Sequence, residues 1–522
     1  MKKETADILI IGAGASGSAA AWNLSKLNLK IVCMDQGPFI DKKEYSFNNK
    51  NREIYKLGKF NIDPNQRKFN SDYPINSNNS PISIANYNAV GGSTLIYSGH
   101  YPRFHPSDFK TKKIDKIGSN WLFNYYDLEK YYNLNDKMVG VSGMTGDPAY
   151  PKIKNLLPPL DIGYSGDIIA KAFNKLGWHW WPSYAALRKS KKYKKGIRPT
   201  AVEIYLNKAI KNGVIVKPNS RVLKIKLSKN KIATGVIYSN SKKERKFLKA
   251  SIIILASNGI GTPRILLNSR NKDFPNGLAN NSGQLGKNLM LHPLGFVEGH
   301  FDKYLGSDEG PEGCSIYSHE FYETKKNRNF KRGYTIQLLK APGPIETFHY
   351  LKKFNRIKFG NFFFKNLFDY FGRTVPMAII CEDTPSRNNF IQLDNKNKDS
   401  DGLPGIKINY KISENTKKML SHGINQCKKL LKTAGAKKIT AFGPVKNTGW
   451  HLVGTAKMGS SKKNSVVNKF GQCHEIKNIF IVDSSIFPSS SGVNIASTVQ
   501  AVSLMISDYI KKNFKKLIKK NA

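Results

Sequence analysis

The 522-residue chain contains no long uncharged hydrophobic run. A helix that crosses a bilayer needs about 20 consecutive, mostly apolar residues, so the sequence predicts that no segment spans a membrane. The first residues, MKKETADILIIGAG, pass directly into an apolar run of strand-forming residues and leave no room for a signal peptide. We therefore expect a cytoplasmic protein.

Cysteine is also scarce, with five residues that are far apart and never form a Cys-x-x-Cys pair. An odd number of isolated cysteines is typical of a reducing compartment. The same spacing predicts neither a disulfide framework nor a zinc site. We expect no bound metal.

Acidic residues are few: 37 Asp and Glu stand against 84 Lys and Arg, which gives a formal net charge of +47. A clustered excess of this kind binds nucleic acid by releasing counterions from the phosphate backbone. The lysines here are scattered through every segment, and no nucleic-acid-binding motif accompanies them. We therefore predict no nucleic-acid partner.

The one local concentration of basic residues is the C-terminal tail, DYIKKNFKKLIKKNA. Ile510, Phe514, Leu517 and Ile518 recur there at helical spacing between the lysines. Such a helix can lie on an anionic membrane surface, or it can pack its apolar stripe on its own domain. The second alternative is favoured. A basic protein that binds membrane surfaces without turnover is nevertheless an alternative to an enzyme.

A glycine motif near the N-terminus stands between a predicted strand and a predicted helix. DILIIG reads as a buried parallel strand, and AGASGSAAAWNLSKL reads as a helix. Gly12, Gly14 and Gly17 form the pattern GxGxxG between them. In this pattern the first glycine allows the tight turn, the second lets backbone approach a pyrophosphate, and the third lets helix and strand pack closely.

The residues around this motif complete a dinucleotide site. Ala15 and Ser16 open the helix, and its N-terminus faces the phosphate charge. Asp35 ends the second strand, KIVCMDQG, where a carboxylate can accept hydrogen bonds from a ribose. The motif by itself does not separate NAD from FAD.

Two more apolar runs, ASIIILASNG and NIFIVDSSIFP, occur in the middle and near the end of the chain. Each resembles the first strand in its short length and its glycine or acidic ending. The strands of one nucleotide-binding domain therefore come from three separate pieces of chain. A second domain is inserted between them.

A second glycine motif, Gly91-Gly92-Ser93, lies in NAVGGSTLIYSGHYPRF and predicts a tight turn when read alone. This stretch resembles the segment under the flavin in the glucose-methanol-choline (GMC) oxidoreductases, where such a turn brings backbone close to the isoalloxazine ring. Further matches, ASNGIGTPRILLNS, GQLGKNLMLHP and NIFIVDSSIFPSSSGVN, follow in the family's order. The resemblance covers almost the whole chain and is weakest between residues 300 and 440.

The resemblance implies FAD as the cofactor in preference to NAD. Val222 lies in NSRVLKI, the strand that in this family meets the adenine through its backbone, and Asp483 corresponds to an acid near the ribityl and pyrophosphate groups. Some members attach FAD through a histidine near the GG turn. That position falls on or near Ile96 here, although His100 lies close by. We therefore expect non-covalent FAD.

The stretch GWHLVGTAKMGS matches the family's His-x-x-Gly-Thr-x-x-Met pattern through His451. About forty residues later in the family comes a His or Asn partner, matched by Asn494 in SGVNIAST. Histidine has an unperturbed pKa near 6.5, so it can accept a hydroxyl proton near neutral pH. Asparagine offers a neutral donor to an oxygen on which charge develops. The resemblance implies that His451 is the catalytic base and that Asn494 positions the substrate oxygen beside the cofactor.

The family implies an α/β fold: a doubly wound, Rossmann-like FAD-binding domain with an inserted α+β substrate-binding domain. The implied reaction is oxidation of an alcohol, polyol or sugar hydroxyl to a carbonyl, with a quinone or a redox partner subunit as electron acceptor. The stretch SVVNKFGQ resembles sequences of the bacterial gluconate, sorbitol and choline dehydrogenase branches. A lyase that keeps FAD without redox use is the alternative within the family.

We assign residues 1–105, 200–300 and 440–522 to the FAD-binding domain and residues 106–199 and 301–439 to the substrate-binding domain.

Overall fold

The computed structural model describes residues 4–46, 48–193, 195–353, 360 and 362–519. The strands are β1 Glu4–Ile11, β2 Ile31–Met34, β3 Ile75–Asn79, β4 Trp181–Pro182, β5 Ile215–Lys217, β6 Arg221–Leu227, β7 Ala233–Ser239, β8 Arg245–Leu255, β9 Leu294–His300, β10 Cys314–Ser318, β11 Tyr334–Leu339, β12 Thr374–Cys381, β13 Phe390–Lys398, β14 Pro404–Asn409, β15 Lys438–Phe442 and β16 Ile479–Ile481. The helices are α1 Ala15–Leu24, α2 Lys42–Tyr45, α3 Arg52–Leu57, α4 Pro64–Arg67, α5 Thr111–Asp115, α6 Tyr125–Val139, α7 Gly163–Leu176, α8 Asn207–Lys211, α9 Asn258–Asn268, α10 Pro344–Lys353, α11 Phe363–Tyr370, α12 Glu414–Thr433 and α13 Ala496–Lys519.

The first sheet has the strand order β5-β2-β1-β8-β7-β6, and β16 pairs with β8. The pairs among β5, β2, β1, β8 and β16 are parallel, whereas β6 and β7 join antiparallel. Residues 8–11 of β1 and 252–255 of β8 are fully or almost fully buried, as expected for central parallel strands covered on both faces. The prediction of a Rossmann-like sheet built from three pieces of chain is confirmed.

The C-terminal helix α13 lies along α1 and closes this domain. Ser503 donates a hydrogen bond from Oγ to the carbonyl of Ser16 at 2.7 Å. Ile510 and Leu517 are buried, and Phe514 packs against the same core. The apolar stripe of the tail therefore packs against the core of its own domain, in agreement with the favoured alternative. Residues 520–522 lie outside the described part. Within that part, no helix is both long and apolar enough to cross a membrane.

The second sheet is antiparallel, with the order β15-β9-β12-β11-β10-β4. Its side chains alternate between two faces, as pleated strands require. Met377 and Ile379 of β12 pack with helices α7 and α12, whereas Ala378 and Ile380 point to the opposite side. This sheet and its helices form the predicted α+β part. A third sheet, β13-β14-β3, packs against α9.

The second sheet crosses two of the domain boundaries assigned from the sequence. Strand β9 begins before residue 300, and β15 begins before residue 440. Boundaries near residues 293 and 443 would keep all of its strands together. The division into domains remains a proposal.

Candidate active site

One large cavity, of about 920 Å³, extends from the glycine turns of the first sheet to the inner face of the second. Eleven of the residues singled out from the sequence line it: Gly12, Gly14, Ala15, Ser16, Asp35, Gly92, Ser93, Val222, His451, Asp483 and Asn494. Gly17 and Gly91 lie behind this lining. The fold thus brings together residues that are up to 482 positions apart in the sequence (494 − 12).

The three glycines of the first motif have different surroundings. A Cβ atom on Gly17 would stand 1.8 Å from the carbonyl oxygen of Gly12, so this position holds helix and strand together. A Cβ atom on Gly14 would meet only Cα of Gly92, at 3.8 Å. Gly14 therefore borders open cavity, while Gly17 serves packing, as the sequence motif predicted.

The two glycine motifs touch each other. The N–H of Gly91 donates to the carbonyl of Ala13 at 2.9 Å, and φ is +99° at Gly91 and +56° at Gly92. Glycine adopts such angles readily, whereas a side chain would strain them. Bare backbone therefore forms this wall of the cavity and leaves room for a large flat ligand beside a helix N-terminus, which fits a flavin dinucleotide.

Asp35 holds the first glycine turn in place. Its carboxylate accepts hydrogen bonds from the N–H groups of Ala13 and Gly37, both at 2.9 Å. Burial raises the pKa of this carboxyl group, while the two backbone donors oppose that shift. Each carboxylate oxygen can accept a further bond, so the predicted contact with a ribose remains open to it.

Asp483 joins two of the matched stretches. Its side chain accepts hydrogen bonds from the hydroxyl of Thr262 in α9 and, at 2.9 Å, from the N–H of Ser485. The His-x-x-Gly-Thr stretch docks on the same segment, since the N–H of Gly454 donates to the carbonyl of Ser484 at 3.2 Å. These contacts fix His451 relative to the cofactor side of the cavity.

His451 and Asn494 contact each other in the wall of the cavity. Nδ2 of Asn494 lies 3.4 Å from Nε2 of His451. His451 is buried, and desolvation lowers its pKa well below 6.5, with the neighbouring His292 and His100 adding to the shift. The imidazole is therefore neutral at neutral pH, as a proton acceptor must be.

His292 is a member of this site that sequence reasoning missed. Its Nδ1 lies 2.9 Å from Nδ1 of His451, and its Nε2 contacts the hydroxyl of Ser490. Burial lowers the pKa of His292 to about 3, so this ring is also neutral. His292 lies in GQLGKNLMLHP, a stretch that was matched to the family only as a whole. Nothing in the sequence shows that it lies beside a residue 159 positions away.

The hydrogen bonds of the site form a chain in which each residue donates to the next. Gln337 donates from Nε2 to Oδ1 of Asn494 at 2.6 Å, which orients the amide so that Nδ2 points at His451. The tautomers consistent with this orientation have Nε2 of His451 accepting, its Nδ1–H donating to Nδ1 of His292, and Nε2–H of His292 donating to Ser490. Because a neutral imidazole carries one proton, this chain leaves a lone pair on Nε2 of His451.

Apolar side chains of the second sheet cover the site. Gln337 precedes Leu339 by two residues on β11, so both lie on the face that looks into the cavity. A cluster on this face consists of Leu294, Phe296, Leu339, Ala378, Ile380 and Val445. Charged side chains of the cavity, such as Arg52 and Glu312, belong to other elements. The space beside His451 therefore suits a substrate with an apolar body.

Ile96 and His100 both line the cavity near the GG turn. Ile96 offers no nucleophile for covalent attachment of a cofactor. His100 is half-buried, and desolvation lowers its pKa to about 4. Its ring stacks on Tyr317 at 6.2 Å between centroids.

A Rossmann-like sheet, a backbone-walled cavity and a neutral histidine with an amide partner define a dinucleotide-dependent oxidoreductase. The chain belongs to the GMC oxidoreductase family, whose N-terminal model matches residues 6–294 and whose C-terminal model matches residues 385–503. It is accordingly a flavoprotein, and FAD is the cofactor expected in this family. The resemblance inferred from the motifs is confirmed.

Several characterised proteins are similar to the chain over nearly its full length. The 2-methyl-1,2-propanediol dehydrogenase of Mycolicibacterium austroafricanum is 33% identical, with 98% of this chain and 96% of the relative covered. The fructose dehydrogenase large subunit of Gluconobacter japonicus is 24% identical, with 99% and 100% covered. Among solved structures, formate oxidase of Aspergillus oryzae superposes with a TM-score of 0.69 at 14% identity, covering 98% of this chain and 99% of the other. The last similarity supports the fold alone.

Proposed function

We propose that this protein oxidises the hydroxyl group of an alcohol with an apolar body to a carbonyl, with His451 as the base. The observation that carries the proposal is the pairing of Nε2 of His451 with Nδ2 of Asn494 in the cavity that the glycine turns border. When bound, FAD accepts the hydride that leaves the carbinol carbon.

In the proposed step, the substrate hydroxyl binds beside His451 and Asn494 and replaces the direct contact between them. Nε2 of His451 accepts the hydroxyl proton, and the amide of Asn494 donates a hydrogen bond to the oxygen as negative charge develops on it. Nδ1–H of His451 remains bonded to His292, which stabilises the imidazolium. The buried setting strengthens each of these interactions because little water competes.

The apolar cluster on the second sheet supports a small branched alcohol or diol as substrate in preference to a sugar. A sugar has several hydroxyl groups that need partners, and each one buried without a partner costs about 1–3 kcal/mol. The relative at 33% identity is named for a branched diol. Anaerobic mixing with 2-methyl-1,2-propanediol, polyols, aldoses, sugar acids and choline tests the proposal through bleaching of the flavin absorbance. No bleaching with any alcohol would favour a non-redox lyase.

His292 is proposed to hold the tautomer of His451. Its φ is +52°, so the substitutions that test the role must tolerate left-handed backbone. His292→Asn keeps an acceptor near the position of Nδ1, while His292→Gly removes it. We expect flavin reduction to fall roughly 10-fold to 100-fold in the glycine variant, as for a buried donor left unpaired, and less in the asparagine variant. Equal rates in both would show that the ring only fills space.

FAD is proposed to be bound without a covalent link, because Ile96 occupies the expected attachment position. Acid precipitation of the purified protein should release intact FAD into the supernatant. Flavin that stays with the wild-type chain but is released from a His100→Ala variant would place a covalent bond at His100 instead.

The electron acceptor is proposed to be a quinone or a redox partner subunit. Two relatives carry names that support this: the fructose dehydrogenase large subunit, and a gluconate 2-dehydrogenase flavoprotein of Pantoea cypripedii at 20% identity. The first name refers to one subunit of a dehydrogenase, and the second refers to a dehydrogenase flavoprotein.

A further inference from the structure

We propose that the exposed face of helix α11 docks on an anionic lipid surface and brings the rim of the cavity to the membrane. This surface, called the phenylalanine face below, consists of Phe362, Phe364 and Phe368 together with Lys365. The proposal does not rest on the reaction, since binding to lipid can be measured without turnover.

The phenylalanine face is unusual in its exposure. Phe362, Phe364 and Phe368 are 62%, 66% and 63% exposed, whereas Phe39, the next most exposed phenylalanine in the described part, is 46% exposed. Phe364 and Phe368 are four residues apart and so lie on the same side of the helix. Contiguous exposed aromatic residues mark interaction surfaces in proteins that are otherwise well packed.

The opposite side of α11 anchors the helix to the molecule. The ring of Phe363 packs on that of Phe348 in α10, with 5.6 Å between centroids. Helix α10 is in turn fixed to α3 through the ion pair of Glu346 with Lys56 at 2.8 Å. The phenylalanine face is therefore the outward side of a packed element.

Helices α10 and α3 both border the cavity. Glu346 and Tyr350 of α10 and Leu57 of α3 are among its lining residues. Leu57 is nearly half exposed, and so is its neighbour Ile54, which places apolar surface at the same rim. A lipid surface that contacts α11 would thus lie close to this opening.

The charge around α11 favours an anionic partner. Among the side chains described between residues 344 and 373, Lys352, Lys365 and Arg373 stand against Glu346 and Asp369, and Glu346 is already paired with Lys56. Lys352 and Lys365 are exposed. In an interfacial helix, phenylalanine side chains enter the boundary of the acyl chains, and lysines contact the anionic headgroups.

A second copy of this chain is a poorer partner for the phenylalanine face. Each copy carries a formal net charge of +47, and like charges of that size oppose self-association. The C-terminal tail does not compete for the membrane either, because its apolar stripe packs against the core. Docking through α11 would deliver apolar alcohols and lipid-soluble quinones to the rim of the cavity.

Vesicle flotation of the full-length holoenzyme tests the proposal. The wild-type protein should float with vesicles of phosphatidylcholine plus phosphatidylglycerol and not with phosphatidylcholine alone. The double variant F364D/F368D should lower the bound fraction about tenfold or more, because the two exposed rings that would enter the lipid are lost. The matched control Y126D/Y164D makes the same charge change at exposed tyrosines of α6 and α7 and should bind as the wild type does. All forms should keep their flavin and their turnover with a soluble dye.

A second measurement locates the contact. Phe364→Trp should gain fluorescence that brominated lipid quenches, while Tyr126→Trp should not be quenched. Three results would overturn the proposal: no flotation of the wild type at low salt, equal flotation of F364D/F368D and its control, or no quenching at position 364. Equal flotation of those two would show that charge alone holds the protein on vesicles, and dimerisation lost in F364D/F368D would identify a second copy as the true occupant.

Discussion

At the scale of single residues, the proposed reaction depends on His451, whose pKa burial lowers well below 6.5. His451→Ala should keep the fold and the flavin, because the cofactor wall is built from other segments. The rate of flavin reduction should fall by about 10² to 10⁴, the usual contribution of a positioned general base. Anaerobic stopped-flow absorbance measures this rate. A decrease of only a few-fold would mean that His451 is structural.

Asn494 is proposed to contribute one neutral donor to the same substrate oxygen. We expect Asn494→Ala to slow flavin reduction by roughly 10 to 10³, since such donors contribute less than a base. In the double variant with His451→Ala, the loss should be smaller than the product of the single losses, because both residues act on one hydroxyl. Simple multiplication of the two effects would show that they act independently.

The buried position of His451 also predicts the pH dependence of the reaction. Burial lowers its pKa well below 6.5, so the ring stays neutral and able to accept a proton as the pH falls through the ordinary histidine range. The rate of flavin reduction should therefore be level from neutral pH to 6.5 and decrease only in more acidic solution. Stopped-flow reduction across this range checks it. A decrease centred at 6.5 would indicate a solvated histidine.

The histidine and asparagine of the site were predictable because each lies in a short stretch with a recognisable pattern. His292, Gln337 and Ser490 were not, since no local spacing links them to His451. Their roles arise from hydrogen bonds between distant segments: Gln337 of β11 bonds to Asn494, and His292 bonds to His451 and Ser490. Such partners become visible only once the chain is folded.

At the scale of elements, the turn between β1 and α1 separates packing from cofactor binding. Gly17→Ala would place Cβ against the carbonyl of Gly12 and should lower the free energy of unfolding by about 1–3 kcal/mol, as overpacking does. Gly14→Ala has an ordinary φ of −78° and room for Cβ, so it should spare the fold. Its new methyl group enters the cavity, and FAD affinity should fall instead. Thermal unfolding with and without added FAD distinguishes these outcomes.

Helix α13 provides a second prediction for an element. Truncation after Lys511 would remove Phe514 and Leu517 from the core and should lower the midpoint of thermal unfolding, since buried apolar area is lost. Vesicle binding should persist because the phenylalanine face stays intact. Normal thermal stability together with lost vesicle binding would restore the membrane role that the tail's sequence allows.

The parallel strands were predictable because burial on both faces produces continuous apolar runs such as DILIIG. Strands β9 and β15, at one end of the second sheet, were not, because they are short and partly polar. The amphipathic character of α11 could not be predicted from the sequence either. Its phenylalanines look like core residues in the sequence, and only their exposure shows otherwise.

At the scale of the whole molecule, the proposed acceptor predicts slow reaction with oxygen. Once reduced by substrate, the flavin should be reoxidised faster by a soluble quinone analogue than by air, because a dehydrogenase passes its electrons to a dedicated acceptor. Stopped-flow reoxidation with each acceptor measures both rates. Peroxide formation in air as rapid as turnover with the quinone would instead make the protein an oxidase.

The order of strands in the first sheet has a consequence for biosynthesis. Strand β1 is complete within the first eleven residues, but its neighbour β8 ends at residue 255 and β16 ends at residue 481. At a translation rate of about 5–20 residues per second, β1 waits roughly 10–50 s for β8 and about twice as long for β16. During this interval the nascent chain exposes an apolar strand without its partners. We therefore expect the cofactor to enter only after β16 has been made, and chaperone supply to limit the yield of active protein.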